Sequence, residues 1–103
     1  MEIIRSRAGV PIRLTDERWE HISKNHPEVA PMRQEILEAI AEADVIQRGD
    51  SGELIAVRKY ERTPMTSKFL IVPYREVSRE DGFILTAYLT SRPSSSRSVV
   101  WKR

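Results

Sequence analysis

The sequence predicts an α+β fold, with N-terminal helices packed on one face of an antiparallel meander sheet of about four strands. Three observations lead there. Apolar residues recur at helical spacing between residues 15 and 42. From Asp44 the pattern changes to short β-branched and aromatic runs separated by turn-forming residues. The 103 residues leave room for one hydrophobic core, so residues 1–103 are read as a single domain.

Each element follows from local chemistry. Val10 to Leu14 reads as a short strand, with Pro11 near its start confining it to a sheet edge. Thr15 offers an N-cap hydroxyl, and Asp16 and Glu17 follow where the helix dipole favours acids. Leu14 and Trp19 then occupy the two positions of a hydrophobic staple. The helix stops near Asn25, because Pro27 disfavours helical geometry at His26. A second helix opens at Pro31 and runs to Glu42, with Met32, Ile36, Ala39, Ile40 and Ala43 forming its apolar stripe. Strands are expected over Asp44 to Arg48, Glu53 to Tyr60, Lys68 to Tyr74 and Phe83 to Ser91, with a last short one over Ser98 to Trp101. Gly49-Asp50-Ser51-Gly52 and Asp81-Gly82 read as reversals, and Arg92 to Arg97 as a polar loop.

Composition removes several function classes. Hydrophobic residues make up 40% and charged residues 31%, ordinary values for a globular protein. The absence of cysteine excludes a disulfide framework, a thiolate metal site and a cysteine nucleophile. Phe69-Leu70-Ile71-Val72 is the longest apolar run, far short of the roughly 18 residues of a membrane span. With no secretory segment at the N-terminus, a cytoplasmic protein is expected. Phosphate-loop, dinucleotide-fold and serine-hydrolase signatures are all missing, which leaves those chemistries without support. Charge is lopsided: residues 1–56 hold 7 basic and 11 acidic side chains, residues 57–103 hold 10 and 4. That split allows a cationic surface that attracts phosphates, or a basic half neutralised by the acidic one.

Candidate chemistry concentrates on the strand over Phe83 to Ser91. Alternation sends Phe83, Leu85, Ala87 and Leu89 toward the helices and Thr86, Tyr88 and Thr90 the other way, with Arg92 beyond. Hydroxyls and a guanidinium suit a phosphate, although an ordinary polar outer face has the same composition. Arg58 and Lys59 are consecutive, so either face of their strand receives one cation. His21 and His26 are the neutral-pH acid/base candidates. His26 continues the buried helical stripe, and His21 lies off it. Their spacing lacks metal-ligand geometry and no third ligand is evident, so neither metal nor cofactor is expected. Glu17, Glu20, Glu28 and Glu35 read as a solvated outer face.

Leu14-Thr15-Asp16-Glu17-Arg18-Trp19-Glu20-His21-Ile22, then His26-Pro27-Glu28, then Phe83-Ile84-Leu85-Thr86-Ala87-Tyr88-Leu89-Thr90, and finally Trp101 together resemble a family. The likeness is to the phage- and plasmid-associated PBECR-type domains of the barnase–EndoU–colicin–RelE nuclease fold, over residues 10 to 101. The resemblance implies a barnase/RelE-like architecture and a metal-independent ribonuclease, often toxin-like. It matches His21 and His26 to the histidine-bearing helix, and Thr86, Tyr88 and Thr90 to the strand motif. The expected reaction is attack of a ribose 2′-OH on the adjacent phosphodiester. One histidine acts as base and the other as acid, and Arg58 or Lys59, with Arg92, holds the phosphate. Partners implied are RNA (tRNA, mRNA or ribosome-bound) and an antitoxin-like inhibitor protein. A non-catalytic RNA-binding module or a protein-interaction domain of the same fold is the alternative.

Overall fold

In the computed structural model, which describes residues 1–103, the chain opens with a hairpin that no residue pattern signals. Strand β1 (Glu2–Arg5) pairs antiparallel with β2 (Pro11–Leu14), from Glu2 opposite Leu14 to Arg5 opposite Pro11. Ser6 and Val10 close the turn, and Gly9 takes a positive φ of 85° there, open to glycine without steric cost. Ile3 and Ile4 are adjacent, so they face opposite ways and show no alternation. Ile4 packs on the core and Ile3 is exposed.

The helical layer follows its capping residues. In α1 (Asp16–Asn25), Thr15 Oγ1 accepts from the Arg18 amide at 3.1 Å. The helix ends at Asn25 as expected, with the His26 amide reaching Ile22 O at 2.8 Å just before Pro27. A 3-10 segment (Pro27–Met32) then leads into α2 (Arg33–Ala41), so the second helix starts two residues later than Pro31 suggested. Its five expected stripe residues, Met32, Ile36, Ala39, Ile40 and Ala43, are all buried.

The expected four-stranded antiparallel meander is not what forms. Strands β3 (Val45–Arg48), β4 (Leu54–Lys59), β5 (Phe69–Ser78), β6 (Asp81–Ile84), β7 (Tyr88–Thr90) and β8 (Val99–Lys102) join the first hairpin in one eight-stranded mixed sheet. Its order is β1-β2-β6-β5-β4-β3-β8, and β7 pairs β5. Two strands precede the helices, and β2 lies parallel to β6. Pro11 does not hold β2 at an edge, because it stands at the strand's first residue, where a missing N–H is tolerated.

Two details explain the difference. Asp81-Gly82 is not a reversal; the chain turns at Arg79 and Glu80. A Cβ on Gly82 would lie 2.3 Å from Arg75 O and 2.5 Å from Ile12 Cδ1, so glycine there makes room for β2 beside β6. Asp81 instead receives Arg13 at 2.8 and 3.2 Å, clamping the parallel pair. The expected strand over Phe83 to Ser91 is broken at Leu85–Ala87. There Leu85 donates to Pro73 O at 2.9 Å, and Pro73 has no N–H to return the bond. Alternation slips across the break: Ile84 and Ala87, three residues apart, are both buried in the core.

That core lies between the helices and one face of the sheet. Ile22, Val29, Ile36 and Ile40 from the helical layer meet Ile12, Leu14, Leu70, Val72, Tyr74 and Ile84 from the strands. The opposite face is free of helices and carries a smaller cluster of Ile55, Val57 and Ile71.

Candidate active site on the helix-free sheet face

Residues opposite one another on paired strands share a face, so the strand register fixes the composition of this surface. One row runs Lys102, Val45, Val57, Ile71, Tyr88. Beside it lie Lys59, Phe69 and Thr90, and on the other side Val99, Gln47, Ile55 and Pro73. The apolar middle is covered by the loop after β7. Gln47 anchors that loop by donating from Nε2 to Ser94 O at 2.7 Å. Loop and sheet enclose a cleft of about 240 Å³. Ile55 and Ile71 form its floor, and Gln47, Tyr88, Thr90, Arg92, Ser94 and Arg97 its walls.

His26 stands at the rim of this surface. It caps α1 and opens the 3-10 segment, which brings its ring beside Tyr88, centroid to centroid 5.9 Å and tilted by 33°. Glu28, two residues on across Pro27, places Oε2 3.5 Å from His26 Nδ1. A carboxylate at Nδ1 orients an imidazole and leaves Nε2 for proton transfer. His26 is half-buried, and the approach of its helix end to β7 sets it beside Tyr88, which lines the cleft with Thr90 and Arg92.

The other expected site residues go elsewhere. His21 is exposed on α1, where Asn25 donates from Nδ2 to its Nε2 at 2.9 Å, and it borders Thr15, Glu17, Arg18, Glu20 and Lys24 rather than the cleft. Thr86 falls in the break between β6 and β7 and makes no side-chain hydrogen bond. Arg58 is on the helix side of the sheet. It donates to Glu42 O at 2.7 Å, approaches Glu38 and Glu42 at 3.8 and 3.7 Å, and lies over the Tyr60 ring at 5.4 Å. Burial and the Glu38 carboxylate, which accepts from the Tyr60 hydroxyl, raise that phenol's pKa well above its ordinary value. Lys59 is on the cleft side, 3.6 Å from exposed Glu61. The Thr90 hydroxyl shapes the turn into the loop, accepting from the Arg92 amide at 3.2 Å.

Several cations border the face. Arg92 and Lys102 have no carboxylate partner, and Arg97 is 3.5 Å from Asp50. Part of the basic half is neutralised on the other side, where Arg58 and Arg103 meet Glu38, Glu42 and Asp44. Compared with family models, curated proteins and solved structures, the chain matches none. No three His, Cys, Asp or Glu side chains come together in a metal-binding group, and no helix is long and apolar enough to cross a membrane.

Three residues of the site escaped sequence reasoning. Glu28 faces His26 instead of joining a solvated face, and its nearness in sequence across a proline was the available signal. Gln47 is buried on a strand with its amide turned to the loop, a polar residue in an apolar run. Arg97 was hidden in a segment with no periodicity.

Proposed function

We propose that this protein is a metal-independent, toxin-like endoribonuclease acting from the helix-free sheet face. The observation that carries this reading is one imidazole, His26, held between the Glu28 carboxylate and the Tyr88 ring beside a cleft lined by Arg92 and Arg97. Cleavage of RNA needs a base for the 2′-OH, cationic donors for the phosphate and a proton for the departing oxygen. His26 Nε2 takes the 2′-OH proton as the 2′-oxygen bonds to phosphorus. The bond to the 5′-oxygen breaks, and that oxygen receives a proton from the Tyr88 hydroxyl or a water it holds. Arg92 and Arg97 balance the charge on the phosphoryl oxygens through charge-assisted hydrogen bonds. The products end in a 2′,3′-cyclic phosphate and a free 5′-hydroxyl. An antitoxin-like inhibitor would act by covering this same face.

The test is a denaturing-gel assay on total RNA and tRNA with EDTA present, for wild type, His26→Ala and His21→Ala, all checked for folding. Wild-type cleavage should survive EDTA, and His26→Ala should lose a factor of about 10² to 10⁴. Retention of RNA without cleavage would instead mark a binding module. Loss on His21→Ala but not His26→Ala would overturn the assignment of the base.

A further inference from the structure

The helix side of the sheet carries a second cleft, of about 310 Å³. Strand register puts Trp101, Ile46 and Ala56 in one row and Arg48, Leu54 and Tyr74 in the next. Ala56 and Tyr74 belong to the core, so both rows face the helices, and this cleft lies across the sheet from the one beside Tyr88. Ile46, Leu54, Val100 and Trp101 give it apolar walls. The turn of the first hairpin covers it through Arg7, whose guanidinium lies over the Trp101 ring at 4.4 Å and donates from Nη2 to Ala43 O at 2.9 Å.

The polar groups of the lining are unevenly satisfied. Tyr74 is only 1% exposed, yet its hydroxyl has no hydrogen-bond partner in the protein. A buried hydroxyl is costly to leave unpaired. Burial and the nearby Glu76 raise its pKa, so it stays protonated and offers a donor. Arg48 is exposed, and its guanidinium has neither a carboxylate nor a hydrogen-bond partner. Arg7 also lacks a carboxylate partner. The one carboxylate of the lining, Glu76, already accepts from the Ser6 hydroxyl. Two guanidiniums against one carboxylate leave one positive charge uncompensated.

We propose that this cleft binds a small apolar carboxylate, a free molecule of one ring with a short acid tail. The proposal is independent of the ribonuclease reading. The ring displaces water from Ile46, Leu54 and Trp101, and the carboxylate accepts from Arg48 and from the Tyr74 hydroxyl. Those two residues flank Leu54 in one row, and adjacent strands lie about 5 Å apart, so their long side chains reach toward a common anion. One uncompensated charge matches a monoanion and disfavours a phosphate monoester dianion. The volume is at the small end of ligand clefts, which suits one ring rather than a nucleotide.

The experiment titrates 3-phenylpropionate into the ¹⁵N-labelled full chain and follows the Trp101 indole N–H by NMR, with Trp19→Phe assigning that signal. Saturable shifts should centre on Trp101 and its strand neighbours, with a Kd of about 1 mM or tighter. The neutral 3-phenylpropionamide and the dianion phenyl phosphate should each bind about tenfold more weakly, as should 3-phenylpropionate to Arg48→Ala. Arg48→Lys should restore part of the loss. Tyr74→Phe should weaken binding about fivefold while leaving the urea midpoint of the unliganded protein at pH 7 essentially unchanged, because the lost hydroxyl had no partner. Equal binding of acid and amide, shifts centred on Tyr88 and Arg92 instead, or no saturation at about 20 mM would each overturn the site. A tripeptide ending in phenylalanine that binds tenfold tighter than the free acid would overturn the free-molecule assignment in favour of a chain terminus.

Discussion

His26 owes its place to being a cap rather than a helical residue. Pro27 forbids a further helical turn, and the imidazole, released from the spiral of α1, meets Tyr88 and Glu28 instead of the core. Glu28 acts through His26, so it is a positioning residue. Glu28→Gln should lower kcat about tenfold with KM nearly unchanged, and should cost nothing further in a His26→Ala background, since residues acting as a unit are non-additive. Steady-state kinetics of the two single variants and the double variant check this. Arg58 works at the same scale for stability. It ties β4 to the end of α2 and is shielded by Tyr60, so Arg58→Ala should cost about 1 to 3 kcal/mol in urea unfolding.

Between elements, the decisive contact is the approach of β2 to β6. Gly82 permits it and the Arg13–Asp81 pair holds it. Gly82→Ala drives a methyl into backbone oxygen as well as into Ile12, and only the side chain can move aside. The substitution should destabilise by about 1 to 3 kcal/mol, read as a lower urea midpoint. The break at Leu85–Ala87 has a consequence for the site: it resets the alternation so that Tyr88 and Thr90 face the cleft while Ala87 and Leu89 remain on the core side. Within β7 the expected facing was therefore right. In β6 it was reversed, because Ile84 packs inward.

At the scale of the molecule, pH sets two limits. Burial pushes the Tyr74 hydroxyl above its ordinary pKa of 10.0, and Glu76 adds to the effect. A phenol with a raised folded-state value stabilises fully below pH 10 and loses that contribution as pH climbs through the folded value. Tyr60 behaves alike. Stability measured by denaturant should therefore fall above pH 10, and Tyr74→Phe should flatten that decline. At the acid end, backbone hydrogen bonds from its own amide and from Ser51 lower the Glu53 pKa below 4.5. That carboxylate's contribution is present above 4.5 and is lost as pH falls through the folded value, and Glu53→Gln should not show the loss.

Thr15, the stripe from Met32 to Ala43 and the clustering of strands after Asp44 were legible because caps, turns and periodicity depend on neighbours a few residues away. The residue types of the cleft were legible too: Tyr88, Thr90 and Arg92 stand in one stretch, and His26 stands out beside its proline. Partner choice was not. Whether β2 lies at an edge or beside β6, and which of Arg58 and Lys59 meets the helices, depend on contacts between residues up to 70 apart. No local pattern carries them. Periodicity states that a face exists, and only the packed sheet, with Gly82 giving room and Pro73 withholding a donor, decides what that face meets.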